Sequence, residues 1–112
     1  MAWQLVFTEQ YNRRAARFLK RHPDAVGQYA KTLKLLQANP HHPSLRLHAL
    51  KGRLSGLHSI SISLSYRITL EMLVTKSEIV PINVGVHDEE WASPILMDTL
   101  LSLRSVFRTQ PG

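Results

Sequence analysis

Two side chains in this sequence can do phosphate and proton chemistry together, Arg67 and His87. A guanidinium is a permanent cation whose fork of N–H donors matches phosphate oxygens, and an imidazole exchanges protons near neutral pH. Both sit at the same phase of alternating segments. "SYRITLEMLVT" (65–75) places Tyr66, Ile68, Leu70, Met72 and Val74 on one side and Arg67, Thr69 and Glu71 on the other. "EIVPINVGVH" (78–87) places Val80, Ile82, Val84 and Val86 opposite Asn83, Gly85 and His87. "HSISISL" (58–64) sets Ile60, Ile62 and Leu64 against Ser59, Ser61 and Ser63. A period of two is the mark of a half-buried strand. The polar sides then pool a cation, an imidazole, an amide and small hydroxyls on one face, expected to be uncovered. Lys and Glu are the usual fillers of a solvated sheet face, and only Glu71 belongs to that kind here.

The elements that must position this face follow from the rest of the chain. Short linkers make the three strands an antiparallel meander. Pro81 has no N–H for the ladder, so its strand has an edge or a bulge there. "WQLVFT" (3–8) alternates and predicts a short first strand, a fourth member of the sheet. Thr8 then caps a helix running to about Arg21, with Glu9 in its first turn and Tyr11, Ala15, Phe18 and Leu19 as its apolar side. Arg13, Arg14, Arg17, Lys20 and Arg21 cover much of the remainder. Pro23 and Asp24 favour a second helix start, Val26, Tyr29, Ala30, Leu33 and Leu36 form its stripe, and Asn39–Pro40 ends it. So short a link predicts an antiparallel helix hairpin. Residues 39–57 read as a loop that Leu45, Leu47 and Leu50 tack onto the core. Ser93 and Pro94 open a C-terminal helix over about 93–107.

The totals bound what the chain can be. Its 112 residues fit one domain, 1–112, and 44% hydrophobic with 20% charged residues is a globular composition. There is no cysteine, hence no disulfide framework and no thiolate chemistry. No apolar run approaches the roughly 18 residues of a membrane span, and the start lacks the basic-then-apolar order of a signal peptide. A cytoplasmic protein is expected. Lys and Arg outnumber Asp and Glu by 14 to 8, a net charge of +6. Such a surface draws RNA, DNA, the ribosome or an acidic protein. His41, His42 and His48, even with His58 and His87, do not read as a metal site, because His41 and His42 are adjacent and no cysteine supports them. "KGRLSG" (51–56) precedes no helix, so it is not a phosphate-cradling loop. No cofactor is implied.

The segment "NPHHPSLRLHALKGRLSGLHSISISLSYRI", followed by "INVGVHDEEW", resembles the RelE/ParE superfamily of bacterial type II toxins. It looks most like the plasmid-stabilisation or YafQ-like branch. The likeness spans roughly residues 3–91 and rests on the LKG turn, the SYRI strand start and the GVHD strand end together. It implies an α+β RelE-like fold: a twisted antiparallel sheet, made of the meander plus the N-terminal strand, packed on the helix hairpin; the C-terminal helix read from residues 93–107, which the likeness covers less, would complete the core. It also implies a toxin that is held inactive by a cognate antitoxin and acts on mRNA in the ribosome as an endoribonuclease. The alternative it carries is a non-nuclease toxin, such as a ParE-like inhibitor of DNA gyrase, or an inactive family member. By the resemblance Arg67 would hold the scissile phosphate and His87 would be a general acid or charge stabiliser. Lys51 and Arg53 fall where members contact the RNA backbone. Related enzymes carry a second histidine near Ser61 and an acid near Ser65. This chain has serine at both, and His58 is the nearest histidine, three residues earlier and at opposite phase to Ser61. Ser61 and His58 would then contact RNA.

Overall fold

The computed structural model describes residues 3–86. The C-terminal helix expected over 93–107 lies outside them, and so does His87. The observed order is β1 (Gln4–Leu5), α1 (Glu9–Arg21), α2 (Val26–Ala38), β2 (His48–Ala49), β3 (His58–Ser61), β4 (Tyr66–Leu73) and β5 (Glu78–Val86). The strands form one five-stranded sheet in the order β1-β5-β4-β3-β2. β1 runs parallel to β5, and the other pairs are antiparallel.

Local chemistry explains where each helix begins and stops. Thr8 holds an extended backbone and its Oγ1 accepts from the Tyr11 N–H at 3.1 Å. Glu9 in the first turn and Lys20 and Arg21 in the last both suit the helix dipole. Pro23 then fixes a single 3-10 turn, Pro23–Ala25, before α2 starts. Asp24 does not cap α2; its carboxylate takes the Tyr66 hydroxyl instead. The two helices are tied by the buried Tyr11 and Tyr29 hydroxyls, 2.7 Å apart.

One face of the sheet packs on the hairpin. Tyr11, Ala15, Phe18, Ala25, Tyr29 and Leu36 from the helices meet Ile60, Ile68, Leu70, Ile79 and Val84 from the strands. The α2 stripe is rotated from the expected one: Val26 is 48% exposed, Ala30 is exposed, and Thr32 is buried with its hydroxyl donating to the Gln28 carbonyl. β3 ends at Ser61, short of the expected length, because the chain turns back there. The Ile62 and Ser63 N–H groups both bond the Tyr66 carbonyl, which leaves Leu64 exposed at the tip.

Two features of the sheet alter the expected faces. The first is the loop over 39–57. It contains 3-10 turns and the short strand β2, and Leu45 and Leu50 are buried as expected. The second is Pro81. The β4–β5 register shifts between Thr69 and Leu70, so that Thr69 pairs with Asn83 but Leu70 pairs with Pro81. The extra residue is Ile82. Val80 therefore pairs with Glu71 and shares its side, not that of Val84. A strand that cannot donate at one position loses its alternation there. The carbonyl of Ile82 is met by Arg14 Nη1 of α1 at 3.5 Å.

Candidate functional site

The register builds the site directly. Ser61 of β3, Arg67 of β4 and Gly85 of β5 stand in one cross-strand row, and Ser59, Thr69 and Asn83 form the next. Paired residues share a face. So the polar set expected from the sequence, as far as Gly85, does gather on the side away from the helix hairpin. It is not the open face that the pattern predicts. Ser59 and Thr69 are fully buried, and Asn83 is half-buried. Continuing the β2–β3 ladder by one pair puts Leu50 and Leu57 on the same side, and both are buried there, as is Val80. Small hydroxyls share this face with apolar neighbours, which the period-two pattern alone does not reveal.

Arg67 is the distinctive member. Its Nε and Nη1 are buried and have no hydrogen-bond partner among the described residues. Glu71 is on the same face but four residues along the strand, about 13 Å at the usual rise, and no ion pair joins them. An unpartnered buried donor costs about 1–3 kcal/mol, and more for a charged group. Such a cation is a standing attraction for an anion. The space beside it is open as well. A Cβ added at Gly85, directly across the ladder, would meet no atom of the described residues within 4 Å.

Tyr66 anchors the start of β4 next to Arg67. Its ring packs edge-on against Phe18 at 5.1 Å and at a tilt against His22 at 4.9 Å. Its hydroxyl donates to Asp24 Oδ2 at 3.2 Å and sits 3.1 Å from His22 Nδ1, which in this arrangement donates to it. The loss of solvent, then the Asp24 charge and hydrogen bond, raise the phenol pKa. Tyr66 is thereby a protonated structural post and not a phenolate.

The other residues expected at the site are dispersed. His58 pairs with Leu70 and Ala49, so it belongs to the helix-facing side of β3, opposite Arg67. Its Nδ1 is buried, and burial, then the nearby His48 and His41, lower its pKa. Lys51 and Arg53 are exposed on the turn preceding β3. That turn is at the His58 end of the strand, about 10 Å along it from the Ser61–Arg67 row. Ser61 is half-buried and is the one expected RNA contact in direct register with Arg67. Among the described residues no group of three His, Cys, Asp or Glu side chains could hold a metal ion. Also among them, no helix is long and apolar enough to cross a membrane.

No model of a known protein family matches the chain, and no curated protein does. Solved structures do. A histidine-to-glutamine mutant of YafQ from E. coli superposes with a TM-score of 0.67 at 18% identity, covering 80% of this chain and 99% of that one. This is the fold of the YafQ toxin. The YoeB/ParE toxin from Agrobacterium tumefaciens has it too, with a TM-score of 0.62 at 17% identity, covering 75% of this chain and 98% of that one. A third is the toxin–antitoxin complex RelBE2 from Mycobacterium tuberculosis, with a TM-score of 0.59 at 22% identity, covering 78% and 100%. The RelE-like α+β architecture expected from the sequence is thus the one observed, except that the sheet is mixed, because β1 joins β5 in parallel where an antiparallel strand is expected, and β2 is added at its edge. β4 is the central strand of this chain's sheet, and it carries Arg67, whose Nε and Nη1 have no partner among the described residues.

Proposed function

We propose that this protein is the toxin of a type II toxin–antitoxin pair and cleaves mRNA on the ribosome without a metal ion. The observation that carries this reading is the Arg67 guanidinium, buried at Nε and Nη1 without a partner among the described residues and set across from Gly85, where a Cβ would meet none of their atoms within 4 Å. A phosphate is the anion whose oxygens fit that fork. In metal-free cleavage the substrate's 2′-oxygen attacks the adjacent phosphorus and loses its proton to a base. The bond from phosphorus to the 5′-oxygen breaks, and that oxygen takes a proton from an acid. Arg67 stabilises the extra negative charge on the phosphoryl oxygens as the phosphorane forms. His87, which follows β5 directly, is assigned the proton transfer to the leaving oxygen. Lys51 and Arg53 hold the RNA backbone farther along β3. The ribosome supplies much of the alignment. The fold shared with the RelBE2 complex and the net charge of +6 support an acidic antitoxin as the resident partner in the cytoplasm.

A second reading has its own observation. His58 faces the helix side, so it does not stand in for the histidine that Ser61 replaces. A toxin that binds without cutting, as an inhibitor of DNA gyrase would, needs no second proton-transfer group. Mapping mRNA ends after brief expression separates the two: cuts within translated codons support the nuclease, while DNA damage with intact mRNA supports gyrase. Arg67→Ala and His87→Ala each relieve growth arrest by at least about tenfold in viable count on the nuclease reading, with unchanged circular dichroism. Full toxicity in both variants would sink it.

A further inference from the structure

A cleft opens at the end of β3, beside Ser61 of the Arg67 row. It has two connected hollows that share Ser44, Ser61 and Ile62. The outer one, about 210 Å³, is completed by Arg46, Ser63 and Leu64, and the inner one, about 80 Å³, reaches Lys31 and Gln28 of α2. Among the described residues, no acidic one lines either hollow. We propose that this cleft binds the ribose and phosphate of a nucleotide next to the one held at Arg67, and that it selects RNA over DNA. The inference rests on the reading above, since Ser61 is both the shared wall of the hollows and the cross-strand partner of Arg67.

Three observations carry it. The first is the backbone at Arg46, which is left-handed with φ 51° and ψ 44°. A side chain there costs about 1–2 kcal/mol, and glycine or asparagine would serve the turn at lower cost. Arginine in a strained position at a cleft wall points to a use for its side chain. The turn itself is secured by other groups: the Arg46 N–H bonds the Pro43 carbonyl, and its own carbonyl accepts from His48 Nδ1 at 2.9 Å. The guanidinium has no part in either bond.

The second is the polarity of the hydroxyls. His42 Nδ1 accepts from the Ser44 N–H at 3.2 Å and lies 2.8 Å from Ser44 Oγ, so the serine proton is directed at the imidazole and the oxygen lone pairs are left to accept. Ser63 Oγ accepts from the Ser65 N–H at 3.2 Å, which leaves its proton to donate. An acceptor beside a donor complements a ribose 2′-hydroxyl, which is both and which DNA lacks. Arg46 and Lys31 supply cations for the phosphate. The third is Leu64, 85% exposed at the rim, an apolar surface on which a base can rest.

The test uses the full chain and a fluorescein-labelled single-stranded RNA of about ten nucleotides, a length within the site sizes of single-strand binders. Affinity is read by anisotropy over a range of salt. Arg46→Gly keeps the left-handed backbone while removing the charge. It should weaken RNA binding about fivefold and flatten the salt slope by about 0.7, one phosphate's worth on a single strand. Its melting temperature should be equal or higher. Ser44→Ala should reduce the preference for RNA over DNA of the same sequence. Unchanged affinity and slope in Arg46→Gly, or equal affinity of the native chain for RNA and DNA, would overturn the proposal. Arg67→Ala separates this outcome from the wider reading. If Arg67→Ala alone weakens binding, the cleft assignment fails and the nuclease reading stands. If Arg46→Gly weakens binding while Arg67→Ala leaves both affinity and toxicity intact, the cleft binds RNA and the nuclease reading fails.

Discussion

At the scale of single residues, the arrangement turns on a guanidinium with no counter-ion among the described residues and on the glycine across the ladder from it. Gly85 is not in a left-handed conformation, and a side chain there meets no described atom within 4 Å. A β-branched residue is normally welcome in a strand. Gly85→Val is therefore expected to keep or slightly raise the melting temperature and, on the nuclease reading, to cut RNA cleavage by about tenfold or more, because its methyls would occupy the space beside Arg67 that a phosphate needs. Parallel measurements of thermal unfolding and of mRNA cleavage check this. Equal loss of stability and activity would instead make Gly85 a packing residue. The pairing of Ser61, Arg67 and Gly85 was legible in the sequence as a shared phase, since period two forces it. The role of Arg46 was not legible. Nothing in "SLRLH" shows that this arginine takes a left-handed backbone, a matter settled by the 3-10 turn before it.

At the scale of elements, the meander and hairpin could be read from periodicity, and the ends of the strands could not. α1 begins and ends where Thr8 and Arg21 suggest, because capping is a local hydrogen bond. β1 is two residues long where six alternate, because its length depends on how far β5 runs beside it. Pro81 announced an edge or a bulge, but only the register tells that it is a bulge, that Ile82 is the extra residue and that Val80 changes sides. The face expected to be open holds buried Ser59 and Thr69, and the loop's Leu50 and Leu57 come to that side by extending the β2–β3 ladder. The turn between β4 and β5 offers a test at this scale. Ser77 sits at φ 52° with its N–H bonded to the Val74 carbonyl. Ser77→Gly removes the left-handed penalty and should stabilise the protein by about 0.5–1 kcal/mol in urea unfolding. A decrease would mean that the serine side chain holds the turn.

At the scale of the whole molecule, stability should depend on pH through His58. Its folded pKa lies below the usual 6.5, from burial first and then from His48 and His41. The unfolded chain therefore takes the proton before the folded one does as pH falls. The contribution is intact above about pH 6.5 and is lost as pH drops through the lower folded value. The melting temperature should fall between about pH 7.5 and about pH 5, and His58→Gln should lessen that fall. An identical pH profile in the variant would assign the effect to carboxylates. The parallel pairing of β1 with β5 has a different kind of consequence. Gln4 and Leu5 find their partners in Glu78 and Ile79, nearly the whole described chain away. During translation, at about 5–20 residues per second, the first strand must wait for the last. Gly85 emerges later still, so a half-made chain has no finished place for a phosphate. On the proposed reading, such a toxin spares the ribosome producing it until β5 has emerged.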